Sequence, residues 1–578
     1  MPRSTFGAPV VSVSSTTTME NRTGSWKYIR PMYRDGVAPC NQACPAGVDV
    51  EGYLNLLRQE RIDEALDLLL RENPMPAVTG RVCHHPCEIG CNRKDFDEAV
   101  AVHAIERAMG DEILSRDHPA GAERTRDERV AIVGAGPAGL AAAYHLARLG
   151  YGVTVFDEAE EAGGMLRQGI PVYRLPREVL DRQIERYESM GIEIRTGVRL
   201  EGEKANEVLD EYDAVFLATG AHRGRPLGVP GEDGPGVIPG LEFLKAVNRG
   251  ERPDIGHRVA VIGGGNTAMD CARTALRMGS EPIVVYRRTR DQMPAIPQEV
   301  EEAMGEGIEF VFLATPQAFE HQDNRLVAMH VTRMELGEPD ESGRRRPVPI
   351  QDEGFIIPVD TVLTAIGEQT ELEALPTELE SKWGSVVVDR LGATGTAAIF
   401  AGGDLAGEER TVADALGSGK RAAIGIHRHL RQAAGEDIGP SDPDAFRWGA
   451  GNISMARWQG ADPVRRTEPT NDVVDIESLQ TAHYQHVERH GDRSRNGPMS
   501  WGEVNLGIDF QQAIAEAKRC FNCGVCNDCE LCLIFCPDNA IRRKPEGGFE
   551  IDLDYCKGCG LCAEECPRGA IVMTREGL

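Results

Sequence analysis

Residues 129–157 read RVAIVGAGPAGLAAAYHLARLGYGVTVFD, and this stretch decides the fold of the central region of the chain. A short apolar strand leads into Gly134, Gly136 and Gly139, an alanine-rich helix follows, and the next strand ends at Asp157. In such a β-α-β unit the first glycine makes a tight turn, the second lets the backbone approach a pyrophosphate, and the third allows close helix–strand packing. The pyrophosphate rests on the helix N-terminus, and an acid such as Asp157 accepts from ribose hydroxyls. The stretch therefore predicts a dinucleotide-binding site.

A second unit of the same kind begins with the strand at 258–262, continues through GGGNTA at 263–268 and returns as the strand at 283–286. This second strand runs into two arginines, where a site for NAD usually has an acid. Arginines there can grip a 2′-phosphate, which favours NADP(H), with NAD(H) as the alternative; a solvated basic strand end is the plainer interpretation. The candidate nucleotide-binding residues of this unit are Gly263, Gly265, Asn266, Thr267, Arg287 and Arg288.

The distribution of the cysteines along the chain indicates metal binding rather than disulfide bonds. Fifteen of the sixteen cysteines fall within residues 40–91 and 520–566, and the last is Cys271 in the second nucleotide helix, where we expect a packed core thiol. Disulfide frameworks belong to small secreted domains, whereas this chain is long, and residues 1–18 have no apolar segment typical of an export signal.

The C-terminal cysteines follow the spacing of bacterial ferredoxins with two [4Fe–4S] clusters. CNDCELCLIFCP at 526–537 is followed by CKGCGLCAEECP at 556–567. In this pattern three cysteines of each run bind one cluster and the fourth crosses to the other. We expect one cluster on Cys526, Cys529, Cys532 and Cys566, and the other on Cys536, Cys556, Cys559 and Cys562. Zinc sites generally take two CxxC pairs, which is not this arrangement.

Composition excludes several classes of function. A hydrophobic content of 41% is too high for a disordered chain, and a net charge of −28 disfavours nucleic acid as a ligand. No run approaches the ~18 apolar residues that a membrane span needs, so we expect no membrane insertion and a cytoplasmic location.

Four further motifs carry a family resemblance. They are TGRVCHHPCEIGC at 79–91 after Cys44-Pro45, GGMLR at 163–167, RLP at 174–176 and RRTRDQMPA at 287–295. Over residues 36–430 the chain resembles the glutamate synthase small-subunit family, in which the first nucleotide fold binds FAD and the second NADP(H). The resemblance implies further FAD contacts at Gly164, Arg174, Gly403, Asp404, Thr411 and Val412.

The resemblance also implies two N-terminal [4Fe–4S] clusters. One would use Cys44, Cys83, Cys87 and a carboxylate or amide, which falls near Glu106 here; the other would use Cys40, Cys91 and an upstream CxxC pair. That pair is absent here, because residues 1–39 contain no cysteine. AEAKRCFNCG at 515–524 resembles the missing segment, so Cys520 and Cys523 are predicted to fold back and complete the second cluster. The alternative is one N-terminal cluster on four of the five N-terminal cysteines, with Cys520 and Cys523 as spare thiols.

The expected fold is multi-domain α/β. It comprises an N-terminal helical iron–sulfur domain, two nested Rossmann-like FAD and NAD(P) domains, and a C-terminal bacterial ferredoxin-like α+β domain. The predicted segments are a mobile tail at 1–35, the helical iron–sulfur domain at 36–125, the first segment of the FAD-binding domain at 126–240, the NAD(P)H-binding domain at 241–345, the second segment of the FAD-binding domain at 346–431, a linker or wrapping arm at 432–510, and the ferredoxin domain at 511–578.

The expected function is electron exchange between NAD(P)(H) and a larger redox enzyme, for example a 2-oxoacid:ferredoxin oxidoreductase, in a hetero-oligomeric complex. No catalytic side-chain constellation is expected, because the chemistry belongs to the cofactors. The alternatives are a small subunit of glutamate synthase and a non-enzymatic electron-wiring subunit.

Overall fold

The computed structural model describes residues 29–117, 123–339, 343–375, 378–407, 409–436, 442–467, 470–493, 500–545 and 547–575. Residues 1–28, most of the predicted mobile tail, therefore lie outside the described residues. Within those ranges, no helix combines the length and apolar character needed to span a membrane.

The N-terminal domain is helical, as predicted. Its helices are Pro39–Ala43, Val50–Arg58, Ile62–Glu72, Pro76–Val82, Pro86–Ile89 and Val102–Ser115, with a 3₁₀ turn at Asn92–Asp95. Apolar residues at helical spacing, such as Leu54, Leu57 and Leu69, are buried where these helices meet. The cysteines lie at the helix ends and in the connections between helices.

The first nucleotide fold is a parallel five-stranded sheet. In spatial order its strands are Ile399–Ala401, Ala214–Leu217, Arg129–Val133, Gly152–Phe156 and Glu193–Arg195. Its helices are Pro137–Arg148, Met165–Gln168, Arg177–Ser189, Gly202–Leu209 and Val412–Ala433, with a 3₁₀ turn at Gly403–Ala406. All-apolar strands such as AVFL at 214–217 are buried along their length, as expected of a parallel sheet covered on both faces.

The second nucleotide fold is also a parallel five-stranded sheet. Its strands, in spatial order, are Glu309–Phe312, Glu281–Tyr286, Arg258–Ile262, Thr361–Thr364 and Val237–Pro239. Helices Gly240–Asn248, Asn266–Arg277 and Pro297–Gly305 and a 3₁₀ turn at Arg290–Gln292 accompany it. An antiparallel sheet of Ala314–Gln322, Arg325–Pro339 and Arg345–Pro358 is inserted before the strand Thr361–Thr364. Short pairs join Arg223–Gly224 to Glu368–Gln369 and Ser381–Lys382 to Ser385–Val386, and a 3₁₀ turn spans Leu372–Ala374.

A segment with little regular structure connects the first nucleotide fold to the C-terminal domain. We call its described residues 442–467, 470–493 and 500–509 the arm. It contains the helix Met455–Trp458 and 3₁₀ turns at Pro443–Phe446, Ile476–Ser478 and Thr481–His483. Buried ion pairs hold the arm against the N-terminal domain: Arg465 lies 2.6 Å from Asp49 and 3.0 Å from Glu51.

The ferredoxin-like domain packs against the N-terminal domain. Its helices are Phe510–Ala517, Leu531–Phe535 and Leu561–Glu564, and its hairpin pairs Ile541–Arg543 with Phe549–Ile551. The last strand, Ile571–Arg575, pairs antiparallel with Ile29–Tyr33 at the other end of the chain. The multi-domain α/β fold class is thus confirmed.

Two predicted boundaries differ from the structure. Residues 29–33, assigned to the mobile tail, form a strand because the last strand of the ferredoxin domain pairs with them. Strands Val237–Pro239 and Thr361–Thr364, assigned to the FAD segments, both belong to the second nucleotide sheet. The inserted antiparallel sheet separates Thr361–Thr364 from its sheet in sequence, and this hid the connection.

Candidate functional site

A cavity of about 320 Å³ lies between the two nucleotide folds and the N-terminal domain. Both glycine-rich units contribute to its wall, through Gly134 and Gly136 from the first and Asn266 and Thr267 from the second. The volume is in the range of small-molecule and cofactor sites.

The first glycine turn has the geometry that its motif predicts. Gly134 has a φ of +111°, which a residue with a side chain rarely adopts. A Cβ on Gly136 would meet only Gly164 Cα at 3.9 Å, so this backbone is open to a ligand. Asp157 lines the cavity, and its carboxylate accepts from the backbone N–H of Ala135 at 2.6 Å and of Ala159 at 2.8 Å. Gly139 lies inside the following helix, behind the turn.

Other FAD contacts predicted by resemblance also line the cavity, and one of them, Gly164, lies beside Gly136. Gly403, Asp404, Thr411 and Val412 all line the cavity. Thr411 caps the helix Val412–Ala433, accepting from Asp414 N–H at 3.2 Å. The N-terminus of this 22-residue helix therefore faces the cavity, where its partial positive charge favours an anionic ligand.

The predicted nicotinamide residues divide into two groups. Asn266 and Thr267 reach the cavity, and Asn266 Oδ1 accepts from Ile296 N–H at 2.9 Å. Gly263 and Gly265 form the turn before them: Gly263 has a φ of +146°, and a Cβ on Gly265 would meet nothing within 4 Å.

The two arginines after the second strand differ in environment. Arg287 is exposed, whereas Arg288 is buried and its Nε donates to Arg345 O at 3.0 Å. The antiparallel insertion covers Arg288, so Arg287 is the more accessible of the two predicted 2′-phosphate contacts, and the role of Arg288 stays a prediction.

Arg174 lines the cavity, but its guanidinium is already engaged. It donates to both oxygens of Asp270 at 2.9 Å and pairs with Glu299 at 2.7 Å. Asp270 lies on the helix of the second nucleotide fold, so Arg174 joins the two folds across the cavity. Its position fits holding the folds together rather than the predicted FAD contact.

The ferredoxin cysteines line two separate cavities. Cys526, Cys529, Cys532 and Cys566 line one, which we call site C, and Cys536, Cys556, Cys559 and Cys562 line the other, site D. These are the two sets that the spacing predicts. Short helices at 531–535 and 561–564 connect the two sites.

The N-terminal cysteines also form two groups. In the first, site A, burial raises the pKa of Cys83, and the nearby Glu106 and Cys44 raise it further. Burial likewise raises the pKa of Glu106 to about 7, although its Oε1 accepts from Thr79 and from Asn73. Site A comprises Cys44, Cys83, Cys87 and Glu106.

The second group, site B, includes the two cysteines predicted to fold back. Burial raises the pKa of Cys40, and the neighbouring thiols of Cys520, Cys91 and Cys523 raise it further. The helix Phe510–Ala517 brings this pair to the N-terminal domain, where its buried Glu516 accepts from Ala101 N–H at 3.0 Å. Site B comprises Cys40, Cys91, Cys520 and Cys523.

The surroundings of the sulfurs fit thiolate-bound clusters. All sixteen cysteines lie in described residues, and none of them forms a disulfide bond. Backbone N–H groups donate to several sulfurs, among them Cys83 at 3.4 Å, Cys520 at 3.3 Å and Cys536 at 3.3 Å. Such hydrogen bonds stabilise a cluster's negative sulfurs and tune its potential.

His84 is a cavity residue that the sequence reasoning missed. It and Val82 line the FAD cavity, on either side of Cys83 in site A. Its Nδ1 is buried and finds no hydrogen-bond partner among the described residues. The only sequence signal was its place beside a cysteine, which indicated a surface or supporting role equally well.

Comparison with known proteins identifies the chain's family. The model of the pyridine nucleotide-disulphide oxidoreductases matches residues 128–419, just over half of the chain. The chain belongs to that family. Two further models match in other regions: dihydropyrimidine dehydrogenase domain II with its 4Fe-4S cluster at 34–118, and a 4Fe-4S binding domain at 549–572.

Among relatives of this pyridine nucleotide-disulphide oxidoreductase are three named redox subunits. The NADP(+)-dependent formate dehydrogenase subunit beta of Moorella thermoacetica is 38% identical, with 84% of this chain and 70% of the relative covered. The NADPH-Fe(3+) oxidoreductase subunit beta of Geobacter sulfurreducens is 37% identical, with 84% and 75% covered. The glutamate synthase [NADPH] small chain of Halomonas elongata is 38% identical, with 68% and 88% covered.

These findings confirm the predicted enzyme class and cofactors. The protein is an NAD(P)H-dependent flavin iron–sulfur oxidoreductase that uses FAD, NADP(H) and [4Fe–4S] clusters.

Proposed function

We propose that this oxidoreductase is the flavoprotein subunit of a larger cytoplasmic redox complex, in which it exchanges electrons between NADP(H) and a partner enzyme. The electrons would pass between the FAD cavity and the partner through sites A, B, C and D in that order. Bound FAD supplies the conversion between two-electron hydride chemistry and single-electron transfer.

The proposal rests on the short connections that link the cavity to site D through sites A, B and C. Val82 and His84 of the cavity wall flank Cys83 of site A. Helices Pro39–Ala43 and Pro86–Ile89 each run between a cysteine of site A and one of site B. Only Gly524 and Val525 separate Cys523 of site B from Cys526 of site C. Sites C and D are in turn joined by two short helices, so each pair of neighbouring sites has a short connection.

Within the FAD cavity the chain's own residues have distinct proposed roles. The open backbone at Gly136 would accept the pyrophosphate, and Asp157 the ribose. The helix that begins after Thr411 would stabilise negative charge on the reduced cofactor. Arg287 would contact the 2′-phosphate of NADP(H) from the exposed end of its strand.

The partner is proposed to be a separate subunit that carries the chemistry of the second substrate. The relatives from Moorella thermoacetica and Geobacter sulfurreducens are named as beta subunits, and each match covers 84% of this chain. A formate dehydrogenase-type or 2-oxoacid:ferredoxin oxidoreductase-type subunit fits this role. The glutamate synthase alternative has less support, because that small chain covers 68% of this chain.

Anaerobic purification and NADPH titration test the proposal. We expect about sixteen iron atoms per chain, four for each of four clusters, and bleaching of the FAD absorbance by NADPH but not by buffer. A chain that holds FAD and iron but leaves its flavin oxidised with excess NADPH would contradict it.

The composition of site B has its own test. Replacing both Cys520 and Cys523 by Ser should remove about four iron atoms per chain, whereas Cys271→Ala, at a buried thiol whose Sγ lies 3.5 Å from Gly240 O, should remove none. Unchanged iron in the double variant would refute the fold-back site and leave Cys520 and Cys523 as spare thiols.

A further inference from the structure

Arg568 occupies the junction between sites B and C. It is 1% exposed and lies two residues after Cys566, and it lines the cavity of site C. Its carbonyl accepts from Gly524 N–H at 2.6 Å, in the segment that follows Cys523 of site B. One residue therefore contacts the cysteine segments of both sites.

The guanidinium of Arg568 extends into the loop of site B. Its Nη1 donates to Phe521 O and, at 3.1 Å, to Asn522 Oδ1. Asn522 is fully buried between Cys520 and Cys523, and its backbone N–H donates to Cys520 Sγ at 3.3 Å. Two hydrogen bonds, through Asn522, thus connect Arg568 in the wall of site C to Cys520 of site B.

A second cation reaches the same amide from the opposite side. Arg58 Nη1 donates to Asn522 Oδ1 at 2.5 Å, so two guanidiniums converge on one oxygen. Burial lowers the pKa of Arg58 to about 10, and the charge of Arg568 adds to this effect. The side chain therefore remains a cation at neutral pH.

The contacts of the two arginines differ in a useful way. Arg568 lines the cavity of site C beside Cys529 and Cys566, and its guanidinium also donates to the loop of site B at Phe521 O and Asn522 Oδ1. Arg568 thus lies at both sites. Arg58, by contrast, donates to Asn522 Oδ1 in the loop of site B and is not among the residues that line the cavity of site C.

A buried cation stabilises an electron added to a neighbouring cluster, because Coulomb interactions are strong where water is excluded. Hydrogen bonds and net charge around the sulfurs are established determinants of cluster potential. An arginine provides a permanent charge for this purpose, since it does not lose its proton in proteins.

We propose that Arg568 and Arg58 set the reduction potentials at the junction of the electron path, with Arg568 raising the potentials of sites B and C and Arg58 raising that of site B alone. This inference rests on the proposed function, because it takes sites B and C to hold clusters. Both arginines act on the clusters through their charge and need not touch a substrate. Together they stabilise the reduced clusters where electrons cross from the N-terminal domain to the ferredoxin domain.

The test is a redox titration of the as-purified chain followed by electron paramagnetic resonance, with Arg568→Gln and Arg58→Gln as the variants. Arg568→Gln should lower the midpoint potentials of both sites, and Arg58→Gln that of site B only. We expect at least a tenfold change in the oxidised-to-reduced ratio at a fixed solution potential, which is about 59 mV for one electron. Arg568→Lys keeps the charge and should restore most of the shift.

Arg431 provides a control matched in burial. It is 5% exposed and lies at the C-terminal end of the helix Val412–Ala433, where it donates to Tyr151 Oη at 3.0 Å. Arg431→Gln should leave the potentials of all sites unchanged. Full iron content with unchanged potentials in Arg568→Gln and Arg58→Gln would overturn the proposal. Loss of iron from both variants would overturn it as well, since the arginines would then be structural supports.

Failure of this inference can be told apart from failure of the proposed function. The signal of site B is assigned by its disappearance in the Cys520→Ser and Cys523→Ser double variant. If that variant keeps all its iron, the fold-back cluster is absent and the proposed path fails. If the signal disappears but the arginine variants leave it unshifted, the path stands and only the role of the arginines is refuted.

Discussion

Replacing Glu72 by Gln should release the arm from the N-terminal domain. Glu72 and Lys420 form a fully buried ion pair at 2.7 Å, which joins the N-terminal domain to the helix Val412–Ala433. The same carboxylate accepts from Ser454 Oγ at 2.5 Å and from the N–H groups of Met455 at 2.9 Å and Ala456 at 3.0 Å, all in the arm. One side chain therefore holds three segments together.

The magnitude follows from the charge left behind. In Glu72→Gln the Lys420 ammonium stays buried without its carboxylate partner, and the acceptor at Gly47 O, 3.1 Å away, is a neutral carbonyl. Breaking a buried pair in this way typically costs about 3–5 kcal/mol. If the cost appears as local opening of the arm, it corresponds to at least a ~100-fold rise in the opening equilibrium. Lys420→Met should cost less, because the carboxylate keeps its three donors in the arm.

Hydrogen exchange measured by mass spectrometry reads this opening directly. Exchange of the amides at 454–458 should accelerate by about two orders of magnitude in Glu72→Gln. Glu60→Gln is the control, since its pair with Lys518 at 3.0 Å is solvent-exposed and such pairs contribute about 0–1 kcal/mol. Exchange in Glu72→Gln within about threefold of the unmodified chain would refute the reasoning.

Two further predictions concern coenzyme choice and pH. Arg287→Gln should raise KM for NADPH about 10- to 100-fold and leave KM for NADH unchanged, because it removes a phosphate contact; equal effects on both coenzymes, or the same loss in Arg288→Gln, would contradict the assignment. Although burial disfavours the charge on His103, Glu88 and Asp492 on either side raise its pKa from 6.5 to about 10. The stabilisation that protonated His103 gains from Glu88 and Asp492 is therefore fully present below pH 6.5. It is lost as the pH rises through about 10. Limited proteolysis of the arm at 487–493 should accelerate over that range, and His103→Gln should abolish this pH dependence.

Much of the fold could be predicted because its signals are local. Each of these signals depends on spacings within about 40 residues: the glycine turns, their flanking strands and the crossed cysteine sets. Few other local structures place the same residue types at these spacings. The return of Cys520 and Cys523 to the N-terminal domain could be proposed only from a motif that is missing at one end of the chain and present at the other.

The rest depends on contacts that sequence periodicity does not record. The strand Ile29–Tyr33 pairs with Ile571–Arg575, although the two lie near opposite ends of the sequence. Neither sequence by itself indicates this pairing. Arg288 looked equivalent to Arg287 until the antiparallel insertion covered it. Arg174 was assigned to FAD by resemblance, whereas Asp270 from the other nucleotide fold engages it. In each case the deciding residue is distant in sequence.

In the proposed path, electrons leave the flavin through site A. The direct measurement is rapid freezing after mixing with NADPH, followed by electron paramagnetic resonance, on the unmodified chain and on a Cys83→Ser and Cys87→Ser double variant. We expect NADPH to bleach FAD in both proteins, and sites B, C and D to become reduced only in the unmodified chain. Reduction of those sites at equal rates in the variant would contradict the proposed path.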